Sequence, residues 1–207
     1  MFFSPPTICI DPGHPSEVGR GTQGRHITEI AVAWEVAQEL RTDLKKLGFQ
    51  VVMTKSSENQ FVRNRKRAET ANSAQAVLMV RLHCDSSSGT GFTTYYPDQQ
   101  GVSGGVRGPS QTLLDRTRPI AAVFHTTLAR DLQGVLQDNG LKGDEATAVG
   151  RKQGALTGSV FSKVPVVLVE MVVLTNPKDE AFVLKPANRA KLAAALADAT
   201  KAAVSAR

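Results

Sequence analysis

The chain has 207 residues, enough for one full hydrophobic core, and its 41% hydrophobic and 21% charged content is ordinary for a globular protein. Its net charge of +6 suits a polyanionic partner without choosing one. No aromatics interleave with the densest basic cluster (Arg63, Arg65, Lys66, Arg67), so a single-stranded nucleic-acid platform finds no support, and no apolar stretch is long enough to cross a bilayer.

In chain order, residues 7–10 read as a buried strand that stops at Asp11-Pro12-Gly13-His14. A glycine-rich loop over 13–24 follows. Ile30, Ala33, Ala37, Leu40, Leu44 and Leu47 then recur at three- and four-residue steps, marking one face of a helix with Thr28 as N-cap and Gly48 as its stop. Residues 49–54 form a second strand, and strand–helix–strand argues a parallel sheet with a right-handed crossover. The spacing next predicts a helix over 62–73, a buried run over 76–83 and a short strand over 91–96. Residues 97–116, polar and rich in Gly and Ser, read as a long surface loop ahead of a helix over 117–137. "VPVVLVE", 164–170, is a buried strand by composition; Asn176-Pro177 marks a helix start, and an Ala-rich helix runs to about 204. The expected fold is α/β: one domain over 1–207, with an open, mostly parallel twisted sheet and helices on both faces.

Sites in such sheets form beyond the carboxyl ends of the strands. His14 lies just past the first strand, His83 closes "VLMVRLH", Glu170 closes "VPVVLVE", and Glu29 opens the first helix at the same edge. A carboxylate ending a six-residue apolar run is the sharpest anomaly, because it rarely stays buried without a partner. Two imidazoles and a carboxylate make a His2Glu set, a catalytic zinc arrangement with one position open to water. On this reading His14, Glu29 and His83 bind zinc, and Glu170 takes the water's proton and hands it to a leaving amine. Asp11 or Asp85 would orient a ligand histidine. A rival set uses the His26-x-x-Glu29 spacing of zinc carboxypeptidases with His83 or His125, but leaves Asp-Pro-Gly-His unexplained. His125, among Ala, Val, Phe and Leu, reads as a helix-face histidine. Cys9 and Cys84 show no zinc-type spacing and read as buried free thiols.

With these residues assembled, the chain resembles the zinc-dependent N-acetylmuramoyl-L-alanine amidases, the peptidoglycan hydrolases called amidase type 3. The carrying pieces are "IDPGH" at 10–14, "TEIAVAWEVAQEL" at 28–40, "RAETAN" at 67–72, "VRLHCD" at 80–85, "GFTTYY" at 91–96 and "VPVVLVEMVVLTNPKDE" at 164–180. The resemblance covers nearly the whole chain, about 7–204. The resemblance implies hydrolysis of the amide joining N-acetylmuramic acid to L-alanine of the stem peptide. It implies Zn2+ on His14, Glu29 and His83, and catalysis by Glu170. Peptidoglycan is then the partner, with no nucleic acid, no membrane span and an unidentified activator protein. The protein is expected in the periplasm or outside the cell, its export signal trimmed. Pro15-Ser16-Glu17 and Arg81-Leu82-His83-Cys84-Asp85 depart from the family pattern, as does Val172-Val173; these departures bear on substrate range. A domain that binds peptidoglycan without cutting it is the non-enzymatic alternative.

Overall fold

The strand and helix periods fold in the order β1 (Thr7–Pro12), α1 (Glu29–Lys46), β2 (Gln50–Met53), α2 (Asn64–Ser73), β3 (Leu78–Asp85) and β4 (Phe92–Tyr96). A small hairpin, β5 (Gly101–Ser103) and β6 (Val106–Gly108), precedes α3 (Gln111–Asp131) and β7 (Asp138–Gly143). A 3-10 turn (Asp144–Ala146), α4 (Ala148–Gln153) and α5 (Thr157–Val160) lead into β8 (Val166–Val173), and α6 (Pro177–Val183) and α7 (Pro186–Ser205) close the chain. These positions come from a computed structural model, which describes residues 4–206.

The main sheet has the order β2-β1-β3-β8-β4-β7. β1 pairs in parallel with both β2 and β3, β3 with β8, and β4 with β7; β4 and β8 run antiparallel. The expected open, mostly parallel α/β sheet is therefore the observed one. Its two faces follow from the two-residue period of a strand. Leu78, Val80, Leu82 and Cys84 of β3 face a large core completed by Val36 and Leu40 of α1, Phe124 of α3 and Leu196 of α7. Burying each such Val or Leu contributes about 1.5–3 kcal/mol. Met79 of β3 and Cys9 of β1 face the other way, into a smaller cluster with Ala71 of α2. Both cysteines are buried and free, as expected.

Local signals placed the helix ends well. Thr28 caps α1 by accepting from the Ala31 N–H at 3.1 Å, and Asn176 caps α6, with Pro177 in the first turn. The stretch 97–116 differs from expectation: it holds the β5–β6 hairpin, and α3 starts at Gln111, capped by Ser110. Pro119 lies inside α3. Proline favours a helix's first turn and disfavours its interior, so the sequence suggests a later start. The helix expected over 117–137 ends at Asp131, and the next element, β7, is an edge strand of sequence DNGLKG. It has neither β-branched residues nor apolar alternation, which leaves no periodicity to read. Among the described residues no helix is long and apolar enough to cross a membrane.

Candidate metal centre

The face of the sheet that carries Cys9 and Met79 at its amino end carries Asp11, Arg81 and His83 further along the same strands. Side-chain alternation requires this placement. His83 lies in register with Glu170 of β8, and Arg81 with Leu168. Towards the carboxyl ends this face opens into a cleft of about 190 Å³, whose walls include His14, Arg81, His83 and Glu170. Neither His83 nor Glu170 ends its strand; each lies two or three residues before the end.

His14 comes from the turn after β1. The Gly13 N–H donates to the Leu82 carbonyl at 2.8 Å, so the chain still follows β3 as it bends. His14 itself has φ 46°, a left-handed conformation uncommon for a residue with a Cβ. Two cations hold this turn in place. Lys55 Nζ donates to the His14 carbonyl at 2.5 Å. Buried Arg67 donates to the carbonyls of Pro12 and Pro15 at 2.6 and 3.1 Å. The His14 ring is oriented by Nδ1 against the Gly19 carbonyl at 3.0 Å.

Glu29 is the first residue of α1, where the helix dipole favours a carboxylate. Its Oε2 accepts from the Thr22 N–H at 2.7 Å, and its Oε1 accepts from His83 Nδ1 at 2.8 Å and the Cys84 N–H at 3.2 Å. His14 Nε2 lies 3.6 Å from the same Oε1. The two imidazoles stand edge to face, with centroids 5.2 Å apart. His14, Glu29 and His83 thus each offer a donor atom, all within 4.8 Å of one another. Gly21, at φ +78°, makes this possible: a Cβ there would lie 2.5 Å from Glu29 Oε2 and 2.7 Å from His14 Cδ2.

The electrostatics fit a divalent cation. Burial alone would raise the Glu29 carboxyl, but the His83 hydrogen bond and the two histidines beside it outweigh burial and hold it below its ordinary value. Burial lowers the His83 imidazole despite Glu29, favouring the neutral ring whose lone pair can ligate. His83 Nε2 and Glu170 Oε2 are both buried without a hydrogen-bond partner among the described residues. Such orphaned groups are uncommon in native proteins, and an ion, a water or a catalytic role accounts for them. Glu170 is raised well above the usual carboxylate range, first by burial and then by the charges of Glu29 and Asp85.

Two expectations need correction. Asp11 does not orient a ligand histidine; its Oδ1 accepts from Arg67 Nη1 at 2.7 Å and from Thr54 at 2.5 Å, and its Oδ2 accepts from Arg81 Nε at 2.8 Å. Asp85 accepts from the Ser86 N–H instead of from either histidine. The Gly19 carbonyl and Glu29 take the orienting roles. His26 is exposed and meets Glu180 through its backbone N–H at 2.6 Å, while His125 faces Thr94 and Asp138. Neither joins the cluster. Sequence reasoning passed over the buried Asp11, Arg67 and Arg81 group, although an arginine inside "VLMVRLH" is as anomalous as Glu170.

The family model described as N-acetylmuramoyl-L-alanine amidase matches residues 8–202. The chain is 30% identical over 197 residues to the N-acetylmuramoyl-L-alanine amidase LytC of Bacillus subtilis, covering 94% of this chain and 34% of that protein. It is 26% identical to the amidase Rv3717 of Mycobacterium tuberculosis, covering 91% of this chain and 82% of the relative. It spans 34%, 36% and 22% of the lengths of three of the curated relatives it matches. The crystal structure of the amidase Ami1 of Mycobacterium smegmatis superposes with a TM-score of 0.78 at 22% identity, covering 98% of each chain.

Proposed function

The chain belongs to the N-acetylmuramoyl-L-alanine amidase family, and from that membership we propose that it cleaves the amide between N-acetylmuramic acid and the L-alanine of the peptidoglycan stem peptide. In this reading residues 1–207 form one catalytic domain. It works where its substrate lies, in the periplasm or outside the cell.

The observation that carries the proposal is the meeting of His14, Glu29 and His83 beside Glu170, with His83 Nε2 and Glu170 Oε2 both buried and unpartnered. The donor set suits zinc: two imidazoles and one carboxylate, with His14 oriented by Gly19, Glu29 by Thr22 and Cys84, and His83 by Glu29. Zinc held there would act as a Lewis acid towards the scissile carbonyl and lower the pKa of water.

The protein's own part is positional and protonic. The cleft admits the amide along the row Arg81–His83 and Leu168–Glu170. Glu170 Oε2, facing the cleft with no protein donor to satisfy it, accepts the proton of the attacking water. It then delivers that proton to the departing L-alanine nitrogen, so that the amine leaves neutral.

Mass spectrometry of purified peptidoglycan after digestion tests the proposal. Free stem peptides with an intact L-alanine amino terminus are expected from the zinc-loaded protein and not from Glu170→Ala. Equal inertness of both, with zinc bound, would leave a domain that binds peptidoglycan without cutting it.

A further inference from the structure

Arg81 has no part in the reaction as described, yet it forms one wall of the cleft two residues before His83 on the same strand face. Its side chain is 3% exposed. Nε donates to Asp11 Oδ2 at 2.8 Å and Nη2 to Asn64 Oδ1 at 2.7 Å. Among the described residues Nη1 donates to nothing. It lies beneath Gly158, where a Cβ would come within 2.8 Å of it. The guanidinium is thus rigidly held while part of its donor fork stays free.

Asp11 is shared by two buried guanidiniums, Arg67 and Arg81, and one carboxylate cannot neutralise both. The neighbouring acid Asp144 is buried and raised above its usual range, first by burial, although the Arg81 charge favours its ionised form, and it accepts from the Leu156 N–H at 3.0 Å. A carboxylate brought to Nη1 would pair with it in desolvated surroundings, where such a pair is strong.

We propose that Arg81 is a specificity residue that recognises a carboxylate on the peptide residue following the L-alanine. This rests on the amidase reading above. The spacing agrees with it. Residues i and i+2 of a strand are about 6.6 Å apart. A peptide advances at most about 3.6 Å per residue, so a carboxylate two residues from the scissile bond comes level with Arg81 when the carbonyl lies at His83. The second residue of the stem peptide offers such a group when its α-carboxyl is free, and lacks the charge when that carboxyl is amidated.

Two muramoyl dipeptides that differ only in that carboxyl, free or amidated, are titrated calorimetrically into the zinc-loaded Glu170→Gln protein, whose slowed turnover leaves the ligands intact during the titration. The free acid is expected to bind about tenfold more tightly. Arg81→Lys should keep part of the preference and Arg81→Met should abolish it, with zinc content unchanged. Equal affinity of the two ligands for the protein with Arg81 intact overturns the proposal, and this comparison does not depend on either Arg81 variant folding. Turnover by the unmodified enzyme separates the two readings. Cleavage of both ligands at equal KM removes Arg81's role and leaves the amidase intact. Cleavage of neither removes the amidase, and the binding difference still decides for or against Arg81.

Discussion

His83 and Glu170 stand side by side in register on neighbouring parallel strands, and each turns a buried, unpartnered polar atom towards the same cleft. A protein without a ligand for that cleft would carry two unsatisfied groups at about 1–3 kcal/mol each. The expected behaviour of the surrounding residues follows from this pairing.

Glu170→Gln keeps the shape of the side chain and removes its ability to take a proton. Turnover of peptidoglycan should fall by about 10²–10⁴-fold, the usual contribution of a positioned acid–base group, while bound zinc stays near the unmodified level. Dye release from labelled peptidoglycan and elemental analysis of the same sample measure both. A variant that loses zinc in parallel with activity would make Glu170 a ligand instead.

His14→Ala and His83→Ala should each abolish stoichiometric zinc, whereas His26→Ala should leave it unchanged. His26 is exposed and lies outside the cluster of donor atoms. Loss of zinc from His26→Ala alone would restore the carboxypeptidase-like ligand set.

Gly21→Ala acts on the centre without touching a ligand's identity. The added methyl meets Glu29 Oε2 and His14 Cδ2 at a positive φ that disfavours alanine. Zinc affinity should fall by about 10–100-fold, as when other groups that orient metal ligands are disturbed. Competition with a chelator of known affinity reads it out, and an unchanged constant would show that the loop yields freely.

Asp11→Asn should destabilise the fold by about 3–5 kcal/mol in chemical denaturation, because two buried guanidiniums lose their counterion. Burial alone would raise the Asp11 carboxyl, but Arg67 and Arg81 hold it far below the carboxylate range. A folded pKa below the unfolded one gives stability that is complete above about pH 3.9 and declines as pH falls from there towards the folded value. The variant should lack that acid-side decline. An identical acid profile in both proteins would mean that other carboxylates govern it.

Much of this protein was legible in local pattern. Apolar runs ending at Asp-Pro-Gly-His, His83 and Glu170, the 3.6-residue period of α1 and the caps at Thr28 and Asn176 all report on backbone and burial within a few residues. Residues with special conformational or hydrogen-bonding habits therefore located the four candidate site positions. The same local signals missed the β5–β6 hairpin within 97–116 and the strand β7, whose partner β4 lies far earlier in the chain.

What the sequence by itself determined was the elements and the residue types set at their carboxyl edge. Only the tertiary structure decided which of those residues meet. The strand order β1-β3-β8 sets His14, His83 and Glu170 in adjacent rows, and α1 brings Glu29 back over the same edge. It also gave Asp11 to Arg67 and Arg81 in place of a histidine. The reason is physical: a buried charge is placed by its partners, and Arg67 of α2 and Arg81 of β3 lie 56 and 70 residues beyond Asp11 of β1.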